Sequence, residues 1–201
     1  MTIISLKGKK IIIFDLDGTI VKLAGDWKAL KEILIEKYRE IYKTQIDFPR
    51  ISKCLENIVE KKDDQVLENF FNIIRQYELA NIKNIQLIDE TIFFINNKEL
   101  FGINKKVKFA VLSLNTRDTI IKSLEMAKIR DKIDLIVGKE DVRRWKPFPD
   151  GLIKIQKYYK VYKKDMIYFG DLDNDLLTGK NAGIEAHLIG DLIELVKKIE
   201  N

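Results

Sequence analysis

The chain has one cysteine, Cys54, one histidine, His187, and three prolines among its 201 residues. A lone thiol excludes an intramolecular disulfide and a multi-cysteine zinc site, and it fits a reducing compartment. Cys54 is expected in a packed interior, as is His187, which falls within an apolar run. No apolar run approaches the roughly 20 residues of a membrane span. The opening stretch MTIISLKGKK is too briefly apolar for a signal peptide. The expectation is a cytoplasmic protein without membrane contact. Internal repeats and low-complexity segments are missing as well. The formal net charge is +5, but the lysines are spread over the whole chain rather than gathered in a stripe, so no nucleic-acid partner is expected.

What is present is ample core material. The composition is 46% hydrophobic and 33% charged, which argues for a folded chain of one domain, or one domain with a large insertion. Short apolar runs recur: IIIF (11–14), VKFAVLS (107–113), IDLIV (133–137), MIYFG (166–170) and AHLIG (186–190). Continuous rather than alternating apolarity marks strands covered on both faces. Helical patterns over 118–128, 150–160, 173–181 and 192–199 separate or follow the later runs. That alternation predicts an α/β fold, a Rossmann-like parallel sheet with helices on both faces.

Residues 20 to 102 break the rhythm. No convincing strand occurs there, while Trp27, Leu30, Leu34, Tyr38 and Ile41 recur at helical spacing, as do Val66, Phe70, Ile73 and Tyr77. Eighty such residues are too many for one crossover. They predict an inserted α-helical domain over 20–102, set into a core made of 1–19 and 103–201.

Ligands of parallel sheets bind beyond the carboxyl ends of the strands. The first run ends in Asp15-Leu16-Asp17-Gly18-Thr19, the second in Ser113-Leu114-Asn115 and the fourth in Gly170-Asp171-Leu172-Asp173-Asn174-Asp175, while Lys146-Pro147 follows the third. Carboxylates crowded on one rim raise one another's pKa unless a cation joins them. An oxygen-only donor set of this density suits a hard ion such as Mg2+. A metal ion and a lysine that together hold a dianionic phosphate against an aspartate point to phosphoryl transfer.

These four motifs, in this order, resemble the haloacid dehalogenase superfamily of phosphohydrolases, and the helical insertion resembles the cap of its phosphoglycolate phosphatase-like members. With average residue usage, D-x-D-G-T alone arises in roughly one chain in several hundred of this length, so four motifs at strand ends are not coincidence. The resemblance implies that Asp15 is the nucleophile and that Asp17 moves protons to the leaving oxygen and from the attacking water. Ser113, the backbone N–H of Leu114, Asn115 and Lys146 would bind the substrate phosphate. Asp15, the carbonyl of Asp17 and Asp171 would hold Mg2+, and Asp175 would bind it through water or hold Lys146, with Gly18 making the turn and Thr19 orienting Asp17 or the loop by a hydrogen bond. The partner so implied is a small phosphorylated metabolite under a closing lid. A sugar phosphomutase of the same superfamily shares these motifs, and a non-catalytic binding protein is a third reading. Asp150 is expected to cap the helix after Lys146; the sequence does not identify the lid residues that meet a leaving group, and Lys22, Asp26 and Trp27, near the entry to the insertion, are candidates by position alone.

Overall fold

All five apolar runs become strands of one parallel sheet. The computed structural model describes residues 4–200, so the first three residues of MTIISLKGKK lie outside the described residues. Its strands are β1 (Ile11–Phe14), β2 (Val21–Lys22), β3 (Gln86–Leu87), β4 (Lys108–Leu112), β5 (Ile133–Val137), β6 (Met166–Gly170) and β7 (Glu185–Leu188). Its helices are α1 (Trp27–Tyr42), α2 (Ile51–Glu60), α3 (Asp64–Asn81), α4 (Asp89–Asn96), α5 (Arg117–Met126), α6 (Asp150–Tyr159), α7 (Asp173–Ala182) and α8 (Ile189–Glu200). The large sheet runs β5-β4-β1-β6-β7, every neighbouring pair parallel.

The period of two along β1 explains the layers. Ile12 and Phe14 join one apolar cluster with Ile120 and Leu124 of α5 and Leu192 and Val196 of α8. Ile11 and Ile13 join another with Leu152 and Ile155 of α6 and Ala182 of α7. Both faces are thus covered, as an α/β sheet requires. Strand β7 is the exception: it lies at the sheet edge and none of its residues is buried. The His187 side chain is nonetheless only 11% exposed, with Nε2 2.8 Å from Glu185 Oε1 and its ring 6.1 Å from that of Phe169, so it is packed as expected.

The chain passes from β1 to β4 and β5 on one side, then returns across β1 to β6 and β7 on the other. The switch falls between β1 and β6, which opens a crevice beyond their carboxyl ends.

The helical insertion has its own interior. Leu30, Leu34 and Tyr38 of α1, Cys54, Leu55 and Ile58 of α2, and Leu67, Phe70, Phe71 and Ile74 of α3 form a third apolar cluster, closed by Trp145 from the core. Two features of the 20–102 stretch differ from the sequence expectation. It contains a strand pair: β2 and β3 are antiparallel, so the segments entering and leaving the helices run side by side. And α4 does not belong to the helical cluster, because Phe94 and Ile95 pack with Phe14 and Phe109 on the sheet, while Glu90 pairs with Lys197 of α8 at 3.1 Å. Packing therefore changes hands near Ile85, not at Gly102. No helix among the described residues is long and apolar enough to cross a membrane.

Candidate active site

The crevice holds a cleft of about 500 Å³ whose floor is made by the rim segments and whose other wall is made by α1, α2 and the loop between them. Asp15, Asp17, Ser113, Leu114, Asn115, Lys146, Asp171 and Asp175 all line it. Gly18 and Thr19 do not.

Asp15 follows β1 directly and is buried. Its Oδ1 accepts the N–H of Leu16 at 2.7 Å, and its Oδ2 pairs with Lys146 Nζ at 2.9 Å. Lys146 also reaches Asp175 Oδ1 at 2.6 Å and the Tyr168 hydroxyl at 3.1 Å, and that hydroxyl donates to Asp175 at 2.7 Å. Asp175 is fixed a second time by its place at the start of α7. Its Oδ2 accepts the N–H of Leu172 at 3.2 Å while its own N–H donates to the Leu172 carbonyl at 2.9 Å, a reciprocal helix cap. A single helix start therefore orients the lysine that faces the Asp15 carboxylate.

Electrostatics follow from burial. Desolvation pushes Asp15 up to about 6, although Lys146 pulls the other way and Asp175 adds to the rise. At neutral pH it remains mostly ionised. Burial alone would lower the pKa of Lys146, but Asp15 and Asp175 outweigh it and hold the ammonium charged. Asp171 is raised first by burial and then by Asp175, and a backbone hydrogen bond and Lys146 offset only part of that rise. Asp17 is also raised by burial, and its Oδ1 accepts the N–H of Leu23 at 2.8 Å.

Asp15, Asp171 and Asp175 each offer a carboxylate oxygen within 4.8 Å of the others. Three hard oxygen donors, two of them paired with one lysine, can hold a divalent cation. The carboxylate of Asp17 lies outside that triad, which leaves only its carbonyl for the role expected from sequence. Gly18 contributes by what it lacks. Its φ is +72°, and a Cβ there would overlap the Asp171 carboxylate.

The residues that follow β4 are held by each other. Ser113 Oγ donates to Asn115 Oδ1 at 2.9 Å, and Asn115 Nδ2 donates to Glu78 Oε1 at 3.1 Å. Glu78 comes from α3 and is buried. Its Oε2 accepts Thr116 N–H at 2.9 Å and Thr116 Oγ1–H at 2.6 Å. Glu78, Tyr168 and Lys139 are not among the residues that the motifs single out. The first carried a signal, because a glutamate continues the buried stripe Phe71, Ile74 of α3 at helical spacing.

Three sequence expectations need correction. Thr19 orients nothing by its hydroxyl, which is buried without a hydrogen-bond partner among the described residues. The loop is closed instead by the N–H groups of Thr19, Ile20 and Val21 converging on the Leu16 carbonyl at 2.9 to 3.2 Å. Asp150 does not cap α6. It is the first residue of that helix and its Oδ1 pairs with Arg144 Nε at 3.0 Å. Asp26 is spent on capping α1, and Lys22 is exposed outside the cleft, so of the three residues named near the lid only Trp27 lines it. Trp145 both packs and lines the cleft, with its Nε1 donating to the Lys139 carbonyl at 2.9 Å.

A family model described as haloacid dehalogenase-like hydrolase matches residues 12–189. The chain belongs to this family. Among its haloacid dehalogenase-like relatives, the pyrophosphatase PpaX of Halalkalibacterium halodurans is 24% identical over 191 residues, spanning 89% of this chain and 82% of that protein. A phosphoglycolate phosphatase of Aquifex aeolicus is 27% identical over 188 residues, with 89% and 84% covered. Of solved structures, CbbY from Rhodobacter sphaeroides in complex with phosphate aligns at 16% identity and a TM-score of 0.59, covering 90% of this chain and 85% of that one. That likeness shows the fold, and with the family match it makes the protein a hydrolase on a Rossmann-like core.

Proposed function

We propose that the protein is a magnesium-dependent phosphatase that hydrolyses a small phosphomonoester, phosphoglycolate-like or a sugar phosphate, through an aspartyl-phosphate on Asp15. The observation that carries this reading is the placement of Lys146 between Asp15 and Asp175, with Asp171 beside them, at the bottom of a cleft roofed by helices. The named activities of the relatives, on pyrophosphate and phosphoglycolate, support it.

Asp15, Asp171, Asp175 and the carbonyl of Asp17 would hold the ion, which when bound offsets the charge of the carboxylates and of the phosphoryl oxygens. In the first step an Asp15 carboxylate oxygen attacks phosphorus and the bond to the leaving oxygen breaks. Asp17, whose pKa is raised by burial, supplies the proton that this oxygen takes up. In the second step a water attacks the acyl phosphate, Asp17 takes its proton, and inorganic phosphate leaves with Asp15 restored. Lys146 keeps its charge throughout and neutralises both the nucleophile and the phosphoryl group. Ser113 has one hydroxyl hydrogen, now given to Asn115, so gripping a phosphate oxygen exchanges that partner.

We read α1–α3 as the cap and the remainder, including α4, as the core. A lid of this size favours small substrates and excludes water during the first transfer.

Release of inorganic phosphate from p-nitrophenyl phosphate with Mg2+ tests the reading and separates a phosphatase from a mutase. Asp15→Asn should lower turnover by roughly 10⁴-fold or more, as loss of a nucleophile does. A variant retaining wild-type turnover would sink the assignment.

A further inference from the structure

Lys139 is a buried cation that this reading leaves without a task. It follows Gly138 just beyond the carboxyl end of β5, and its backbone is pinned on both sides: its N–H donates to the Asn115 carbonyl and its carbonyl accepts from Trp145 Nε1, both at 2.9 Å. The residue is only 5% exposed and lines the same cleft as Asp15, Ser113 and Lys146.

An ammonium has three N–H donors to satisfy. Among the described residues none of the three has an acceptor within hydrogen-bond reach, and the nearest carboxylate oxygen, Glu78 Oε1, is 3.9 Å away. Glu78 has little more to give, since its two oxygens already take three hydrogen bonds from Asn115 and Thr116. Lys146 is the contrast: two carboxylates and a phenol surround it. Lys28, Lys31 and Arg50 also line the cleft, but they stand on the helical wall at exposed or half-exposed positions where water solvates them. Keeping a buried ammonium short of partners is costly unless something anionic completes its shell. Burial pulls its pKa below the usual lysine value, the same cost seen from the proton's side.

We propose that Lys139 binds a second anionic group of the substrate, so that the preferred substrates are phosphoryl compounds bearing a carboxylate or a second phosphoryl group rather than esters of neutral alcohols. The proposal rests on the phosphatase reading for where the first phosphoryl group sits, against Asp15, Ser113 and Lys146.

The test is calorimetric titration of the full chain, at fixed free Mg2+, with three ligands that share one phosphonate and have no ester bond to hydrolyse. Methylphosphonate carries no second anion, phosphonoacetate adds a carboxylate, and methylenediphosphonate adds a second phosphonate. The wild type should bind at least one of the latter two roughly 10- to 100-fold more tightly than methylphosphonate, the range of one charge-assisted hydrogen bond. Which of them gains identifies the second group. Lys139→Gln should remove most of that advantage and Lys139→Arg should keep more of it. The comparison is between ligands on one folded variant, so a loss of stability does not obscure it. Equal affinities in the wild type, or an advantage intact in Lys139→Gln, overturns the proposal and leaves Lys139 as a counter-charge to Glu78. If no phosphate is released from p-nitrophenyl phosphate, phosphoglycolate or pyrophosphate while the Lys139-dependent preference persists, the phosphatase reading fails and this site stands. Phosphate release without that preference overturns the Lys139 site and leaves the phosphatase reading in place.

Discussion

At the scale of single residues, the two loop positions after Asp17 behave oppositely. Gly18 is required twice, by its left-handed φ and by the Asp171 carboxylate lying where a Cβ would go. Gly18→Ala should therefore lose about 1 kcal/mol for the backbone alone, and more for the overlap. Urea unfolding should show a loss above that backbone cost, and a smaller one would mean Asp171 can move aside freely. Thr19 is the reverse case, because its hydroxyl is buried and unpartnered. Thr19→Val replaces an orphan polar atom by a methyl of the same shape. Stability should be unchanged or higher by up to about 1 kcal/mol, and a clear loss in urea unfolding would show a partner for the hydroxyl.

At the scale of elements, Glu78 ties α3 to the loop that follows β4. Glu78→Ala would strand the Asn115 amide, the Thr116 N–H and the buried Lys139 at once, and would leave the Thr116 hydroxyl only Thr119. Breaking a buried ionic network by removing one member costs roughly 3–5 kcal/mol, so the unfolding midpoint should drop sharply. Glu78→Gln, which keeps one acceptor oxygen, should drop less. The elements also show what was legible in the sequence and why. Strands covered on both faces announce themselves as unbroken apolar runs, and β1, β5 and β6 lie where IIIF, IDLIV and MIYFG place them. Strand β7 reads as buried from its apolar residues, but an edge position is a fact of topology that no local pattern encodes. The pair β2–β3 has two residues per strand, too few for any periodicity, and exists because both ends of the insertion leave the core together. Helix α4 reads as part of the insertion because an amphipathic stripe shows that a helix packs, not against which partner. The acidic rim was legible from its motifs, whereas Tyr168 and Lys139, inside or just beyond strands, offered only positions.

At the scale of the whole molecule, charge is distributed against the average. The chain is net positive, yet the cleft floor gathers four aspartates around one committed lysine. The fold holds Asp15, Asp17 and Asp171 in places that raise their pKa values, each first by burial, so part of the protein's stability is spent on keeping them ionised at neutral pH. A cation bound only by the folded state returns that stability as RT ln(1 + [L]/Kd), about 2.7 kcal/mol at a hundredfold excess over Kd. Melting at neutral pH should therefore rise with Mg2+ concentration and fall back with a chelator. Asp171 is the carboxylate that Lys146 does not pair with, and removing its charge separates the two effects. Asp171→Asn should melt above the wild type without metal, because a part-buried charge that Lys146 offsets only in part is gone, and should lose most of the response to Mg2+. If it instead melts lower without metal and still responds, the cation is held elsewhere and the three aspartates are not its site.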